Sequence, residues 1–106
     1  MVEADLLDEE SLDRAIQGMD YVVHTASPFP GENPKDENVI IKPAVEGTLA
    51  VLRAVHKYRV KRVVVTSSVA AIMFNTPETS KDLYTENDWS NLRACEPYEK
   101  SKTLAE

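Results

Sequence analysis

The stretch Val60-Lys61-Arg62-Val63-Val64-Val65-Thr66 contains the strongest strand signal in the chain. Valine favours extended backbone, and a run that is apolar on both faces is typical of a parallel strand covered by helices. Two further hydroxyl-bearing residues, Ser67 and Ser68, follow it directly. In open parallel sheets, ligands bind beyond the carboxyl ends of the strands. The stretch therefore predicts a buried parallel strand with a candidate binding edge after it.

Two helices and a second strand are predicted upstream of this stretch. Apolar residues recur at helical spacing from about Glu37 to Tyr58, and Pro43 is expected to bend or break this helix locally. Tyr21–His24 is a short run rich in β-branched residues that suits a buried strand. Before it, Ser11 is a candidate N-cap for a short helix closed by Gly18.

The remaining segments complete an alternating pattern of strands and helices. Residues Val2–Ala4 suit the end of a strand, residues 75–95 have no clear periodicity, and Pro97 opens a final helix. This order predicts an α/β fold with a partial doubly wound parallel sheet of the Rossmann type. Because the pattern begins in a strand and ends in a helix, we expect residues 1–106 to be the central part of a dinucleotide-binding domain.

Composition and charge argue against several kinds of partner. The 106 residues carry a net charge of −6 with scattered basic side chains, which disfavours nucleic acid and anionic membrane surfaces. A single cysteine, Cys95, excludes an internal disulfide, and His24 and His56 are too few for a metal site. The apolar stretch Val63–Phe74 is too short to span a bilayer, and no signal-peptide core is present. We therefore expect a cytoplasmic protein without a metal, and the sequence leaves its oligomeric state open.

Tyr98 and Lys102 form the sharpest candidate for chemistry. They are four positions apart in the predicted final helix, so their side chains lie on one face. A phenol with a pKa near its reference value of about 10 is a poor acid-base group at neutral pH, and a neighbouring cation favours its ionised form. Ser68 lies just past the strongest predicted strand, where its hydroxyl could bond the carbonyl oxygen of a substrate that Tyr98 would protonate. The spacing alone also fits a surface tyrosine packed on a lysine stem.

Val64–Ser68 followed by Tyr98-x-x-x-Lys102 resembles the extended short-chain dehydrogenase/reductase superfamily, with its NAD-dependent epimerases and dehydratases. In particular, the chain is similar to dihydroflavonol reductase-like and cinnamoyl-CoA reductase-like carbonyl reductases. Four more segments match in family order: Asp5-Leu6, Tyr21–Pro28, Pro43–Thr48 and Ser101–Glu106. The resemblance implies an oxidoreductase that transfers hydride between a nicotinamide cofactor and a small carbonyl or alcohol substrate. The implied cofactor is NADPH or NADH, with NADPH favoured. It also implies that the first strands, the glycine-rich phosphate loop and the C-terminal substrate domain lie outside these residues.

The same resemblance assigns roles to individual residues. Ser68 would hold the substrate carbonyl, with Ser67 the less favoured bearer, and Tyr98 would donate the proton. Lys102 would bond the nicotinamide ribose and favour the ionised phenol. Beyond Tyr98 and Lys102, six residues are expected to contact the cofactor: Asp5, Leu6, Thr25, Ala26, Ser27 and Thr66. Three apolar residues are expected on the substrate side: Phe29, Met73 and Phe74.

Two alternatives to a carbonyl reductase stay open. A nucleotide-sugar epimerase or dehydratase of the same superfamily would use the same serine, tyrosine and lysine. A catalytically idle dinucleotide sensor, or a truncated product that acts by association, would not need them. The intact Ser68, Tyr98 and Lys102 count against an idle sensor. The wide separation of Gly18, Gly31 and Gly47 leaves no phosphate loop and counts for a truncated product.

Overall fold

The computed structural model describes residues 1–32 and 34–106 and confirms an α/β fold built on a small parallel sheet. The elements in chain order are α1 (Glu9–Ile16), β1 (Tyr21–His24), α2 (Asn38–Lys57), β2 (Arg62–Val65), a 3-10 turn (Val69–Ala71) and α3 (Pro97–Ala105). β1 and β2 are parallel, and their register pairs Tyr21 with Arg62 and His24 with Val65. No helix within the described residues is both long enough and apolar enough to cross a membrane.

α1 begins at a different cap from the one predicted. Asp8 is the N-cap, and its carboxylate accepts hydrogen bonds from the backbone N–H groups of Glu10 and Ser11. Ser11 is buried inside the first turn, and its hydroxyl accepts a 2.9 Å hydrogen bond from the N–H of Asp5. The prediction of Ser11 as the cap is therefore wrong, because that hydroxyl ties the preceding segment to the helix. Gly18 follows the helix with a φ of 80°, as a helix-closing glycine requires.

α2 runs unbroken through Pro43, so the break that the sequence allowed for does not occur. The proline removes the hydrogen bond to the Val39 carbonyl, one turn earlier, and such a loss costs roughly 3 kcal/mol in a helix interior. On the same helix, Ile40 and Val51 are almost fully buried, with 2% and 3% of their surface exposed. Each such side chain contributes about 1.5–3 kcal/mol on burial, so the packing of α2 outweighs the defect.

The helices cover one face of the sheet. The core consists of buried residues from α1 and α2: Leu12, Ile16, Ala50, Val51 and Ala54. Val22 of β1 packs against this core, whereas its neighbours Tyr21 and Val23 point to the opposite face and are each 67% exposed. On β2, Val64 is 53% exposed on that same face. The expected burial of both faces is therefore wrong for the described residues, and residues 2–4 form no strand there.

α3 is fixed against α2 and against the 3-10 turn. Ser101 is completely buried, and its hydroxyl donates a 2.7 Å hydrogen bond to the Tyr98 carbonyl. Lys100 forms an ion pair of 2.6 Å with Glu37 at the start of α2. The small Ser101 side chain allows the close approach of the helix, and the two polar contacts set its position. As a result, α3 holds its residues beside the ends of the strands.

Candidate functional site

The carboxyl ends of β1 and β2 lie side by side because the strands are parallel. A cavity of about 20 Å³, here called the strand-end cavity, opens just beyond them. Its walls come from the two strand ends, α2 and α3: His24, Ala26, Ser27, Thr48, Val65, Thr66, Ser67, Lys102, Ala105 and Glu106. The structure therefore brings together four residues that the sequence assigned to a cofactor, namely Ala26, Ser27, Thr66 and Lys102.

A wider groove of about 470 Å³ adjoins this cavity and is here called the acidic-turn groove. It is lined by the segment before α1, the segment after β1 and the start of α2: Ala4, Asp5, Leu6, Leu7, Ala26, Ser27, Pro28 and Pro43. Because Ala26 and Ser27 line both hollows, one continuous surface runs from Asp5 to Lys102. Asp5 and Ser27 are the polar residues among those that line the groove, and the others are apolar, so the surface suits a ligand with both apolar and polar parts.

The acidic turn at the far end of the groove is rigidly built. The Asp5 carboxylate accepts a 2.7 Å hydrogen bond from the N–H of Leu7, while the Asp5 N–H donates to Ser11. Leu6 lies against Gly47 of α2, and a Cβ atom at Gly47 would lie 2.9 Å from the Leu6 Cβ. The missing side chain at position 47 therefore lets the turn pack closely on α2.

Replacing Gly47 with alanine should destabilise the protein by about 1 kcal/mol and weaken binding in the acidic-turn groove. Alanine improves helix propensity by about 1 kcal/mol. Overpacking in a tight contact costs about 1–3 kcal/mol, and here the obstructing atom is the Leu6 Cβ, which cannot rotate away. Urea unfolding of Gly47→Ala measures the difference. The matched control is Gly31→Ala, because a Cβ at Gly31 meets nothing within 4 Å. Equal stability of the two variants would contradict the prediction.

Tyr98 and Lys102 lie on the same side of α3, as their spacing predicts. The Lys102 Nζ is 6.0 Å from the centroid of the Tyr98 ring, within reach of a cation–π interaction. The ring of Phe29 meets the Tyr98 ring edge-on, with the centroids 5.2 Å apart and the planes at 89°. Phe29 is otherwise 78% exposed. The exposed ring of Phe29 therefore gives the tyrosine an apolar neighbour.

Ser68 and Ser67 have different hydrogen bonds. The Ser68 Oγ accepts from the N–H of Ala70, at 3.2 Å, and so caps the 3-10 turn. A hydroxyl has one proton to donate besides its two lone pairs, and no acceptor for the Ser68 proton occurs in the described ranges. In contrast, the Ser67 hydroxyl donates to the Glu106 carboxylate. Ser68 is therefore the serine whose proton is available to a ligand.

Other predicted residues lie outside the two hollows. Thr25 is exposed at the end of β1, and neither Ser68 nor Tyr98 lines the cavity or the groove. Met73 is 45% exposed, and the N–H of Phe74 donates to the Ser90 hydroxyl. The structure thus brings some of the predicted residues together in the two hollows and leaves others outside them.

His24 is a site residue that the sequence reasoning missed, because it was weighed only as a metal ligand. Its side chain is 7% exposed, lines the strand-end cavity and lies 3.3 Å from the Thr48 hydroxyl through Nε2. Burial lowers the pKa of His24 below its ordinary value, and the nearby Lys102 charge lowers it further. The signal that could have revealed His24 is its position, since it ends β1 directly before the predicted cofactor residues.

Comparison with known proteins gives matches along nearly the whole chain. Residues 1–106 match the 3-beta hydroxysteroid dehydrogenase/isomerase family. The chain is 41% identical, over 98% of its length, to a bifunctional dihydroflavonol 4-reductase/flavanone 4-reductase of Malus domestica. It is 43% identical over its full length to tetraketide alpha-pyrone reductase 1 of Arabidopsis thaliana, and 44% identical over 87% of its length to cinnamoyl-CoA reductase 2 of the same plant.

These relatives are longer proteins. The chain covers 32% of the Malus domestica reductase and 34% of the pyrone reductase, so it spans about a third of their length. Among solved structures, it resembles yeast methylglyoxal/isovaleraldehyde reductase Gre2 complexed with NADPH, with a TM-score of 0.71 and 30% identity over 95% of the chain. Gre2 of Candida albicans in complex with NADPH gives a TM-score of 0.73 at 29% identity. The chain covers 34% of each of these two structures.

Proposed function

The chain belongs to the 3-beta hydroxysteroid dehydrogenase/isomerase family, and from that membership we propose that it forms the central part of an NAD(P)H-dependent oxidoreductase. The proposed reaction interconverts a carbonyl group and an alcohol on a small molecule. The observation that supports the proposal is the cavity beyond the ends of two parallel strands, where open α/β sheets bind ligands; Lys102 lines it, and Tyr98 lies beside Lys102 on α3. The names of the matched relatives, which are reductases, support the same reaction class.

The proposed cofactor is NADPH, with NADH as the alternative. NADPH is favoured because two of the similar solved reductases are complexed with it. The chain's own residues fit such a ligand, since the mostly apolar acidic-turn groove joins the strand-end cavity, which adds hydroxyl groups and the Lys102 ammonium. Asp5 and Leu6 would hold one end of the cofactor, Ala26 and Ser27 its middle, and Lys102 the nicotinamide ribose. Gly47 maintains this surface by letting Leu6 pack on α2.

In the proposed mechanism, two side chains act on one carbonyl oxygen, and a third acts on the phenol of Tyr98. Ser68 donates a hydrogen bond to that oxygen, using the proton that its cap interaction leaves available. Tyr98 then donates its phenolic proton to the oxygen as the carbonyl carbon is reduced. When bound, the nicotinamide supplies the hydride for this step. Lys102 lies close enough to the Tyr98 ring to stabilise the negative charge that remains on the phenol oxygen.

Phe29 extends the proposal to the substrate. Its ring lies edge-on to Tyr98 and is largely exposed, so an apolar or aromatic substrate can stack beside the acid group. An apolar substrate surface distinguishes a carbonyl reductase from an epimerase or dehydratase of nucleotide sugars, which would have to place a polar sugar there. A non-catalytic sensor would need neither the available proton of Ser68 nor the pairing of Tyr98 with Lys102.

The proposal is tested by following NADPH and NADH oxidation by the complete gene product that contains this chain. We expect oxidation of NADPH with aromatic or aliphatic aldehydes and ketones, and slower oxidation of NADH. The comparison substrates are nucleotide sugars, examined by product analysis for epimerisation or dehydration. Conversion of the sugars without cofactor turnover on carbonyls would replace the reductase by the epimerase or dehydratase. Tight cofactor binding without conversion of any substrate would identify a sensor.

A further inference from the structure

His24 occupies a position between the sheet and two helices that the proposed mechanism does not use. Its ring is buried at the end of β1, its Nε2 lies 3.3 Å from the Thr48 Oγ1 of α2, and it shares the strand-end cavity with Lys102 of α3. A neutral imidazole and a hydroxyl satisfy each other in such a contact. The imidazole and the Lys102 side chain therefore line the same cavity from different elements.

The charges around His24 come from one direction. Lys102 and Glu106, both on or next to α3, are the charged residues among those that line the cavity. α2 contributes Thr48, and the segment after β2 contributes Thr66 and Ser67, whose hydroxyls carry no charge. The Glu106 carboxylate accepts the Ser67 hydroxyl and keeps its negative charge, but the charge that acts on the pKa of His24 is that of Lys102, which lowers it. A proton on His24 would therefore place a second positive charge in the cavity that holds Lys102.

We propose that His24, held by Thr48, is a positioning residue that keeps Lys102 in the strand-end cavity as long as the imidazole is neutral. Protonation of His24 displaces the ammonium group and weakens cofactor binding. Burial and the Lys102 charge both lower the pKa of His24, which is consistent with a neutral ring at physiological pH. The inference rests on the proposed function, because it takes Lys102 to be a cofactor ligand.

The coupling between His24 and Lys102 can be measured without any cofactor. Proton NMR of the complete gene product follows the imidazole signals during a pH titration, with His24→Gln and His56→Gln variants providing the assignments. We expect His24 to titrate below its ordinary value of 6.5 and to shift upward in Lys102→Met. The exposed His56 on α2 is the internal control. An unchanged titration of His24 in Lys102→Met would show that the two groups do not interact and would overturn the proposal.

The functional consequence is tested by the affinity for NADP⁺, which is stable in acid, between about pH 7.5 and pH 4.5, because the lowered pKa of His24 places its protonation below the ordinary value of 6.5. On acidification, the dissociation constant for NADP⁺ should rise in the wild type, in His56→Gln and in His24→Gln. The rise should be at least about fivefold larger in the first two proteins than in His24→Gln. Each protein meets the same ligand, so titration of the cofactor phosphate cancels from the comparison. Thr48→Ser should behave as the wild type, because it keeps the hydroxyl bonded to His24, whereas Thr48→Val should bind more weakly at every pH.

Equal pH dependence in the wild type and His24→Gln would overturn the proposal. If circular dichroism shows that His24→Gln does not fold, the proposal is tested by comparing Thr48→Ser with Thr48→Val and by the His24 titration in Lys102→Met. Failure of the proposed function has a different signature. It would appear as full turnover in a Tyr98→Phe variant, whereas failure of this inference would leave Tyr98→Phe inactive and His24 uncoupled from Lys102.

Discussion

Replacing Tyr98 with phenylalanine in the complete gene product is expected to lower kcat for carbonyl reduction by a factor of about 10²–10⁴. The substitution removes the phenolic proton and keeps the ring that packs against Phe29 and lies beside Lys102. Because those contacts persist, α3 should stay in place and the cofactor should still bind with an affinity close to that of the wild type. The loss should therefore appear in kcat, with little change in the cofactor dissociation constant.

The matched control for this experiment is Tyr21→Phe. Tyr21 lies on the open face of β1, is 67% exposed and is remote from the strand-end cavity, so its hydroxyl has no role in the proposed chemistry. Steady-state kinetics and a fluorescence titration of NADPH on both variants separate turnover from binding. Turnover of Tyr98→Phe within a factor of about three of the wild type would mean that another group supplies the proton, and would remove the central element of the proposed mechanism.

Replacing Ser68 with alanine is expected to cost a factor of about 10²–10³ in kcat, the usual effect of removing one hydrogen-bond donor from a developing oxyanion. The neighbouring Ser67→Ala is the matched control, because the same atom is removed one position away. Its hydroxyl is committed to Glu106, so we expect a loss of less than about fivefold in kcat for Ser67→Ala, small against the Ser68→Ala loss.

Ser68 also caps the 3-10 turn, so its replacement has a structural component that has to be separated from the chemical one. Loss of a cap costs about 1 kcal/mol of stability. Thermal unfolding measures this component directly, and Ser68→Thr, which keeps the hydroxyl, should restore much of the turnover. A larger loss of kcat in Ser67→Ala than in Ser68→Ala would reverse the assignment of the two serines.

The elements of the fold could be predicted where the signal is local. The valine run of β2, the proline at the start of α3 and the glycine after α1 each act within a few residues, and each is confirmed at its expected position. The cap of α1 could not be predicted in this way. Asp8 and Ser11 are both good caps three positions apart, and the hydrogen bond from Asp5 to Ser11 decides between them through tertiary structure.

The same distinction applies to the candidate site. The pairing of Tyr98 with Lys102 follows from helical spacing, so it could be predicted from the sequence. The position of His24 in the strand-end cavity depends on the docking of α3 over the strand ends, and no local sequence pattern predicts that docking. The open face of the sheet was missed for a similar reason. A run of valines indicates that a strand can be buried on both sides, but the placement of α1 and α2 determines which side is covered.

The parallel pairing of β1 with β2 has a consequence for the order in which the protein takes shape during synthesis. Tyr21 pairs with Arg62, and the whole of α2 separates them along the chain, so this strand pair can form only after the ribosome has made α2 and β2. Lys102 emerges later still and depends on the docking of α3 against α2 and the 3-10 turn. Among these elements, the α1–α2 core can therefore form before the strand-end cavity is complete.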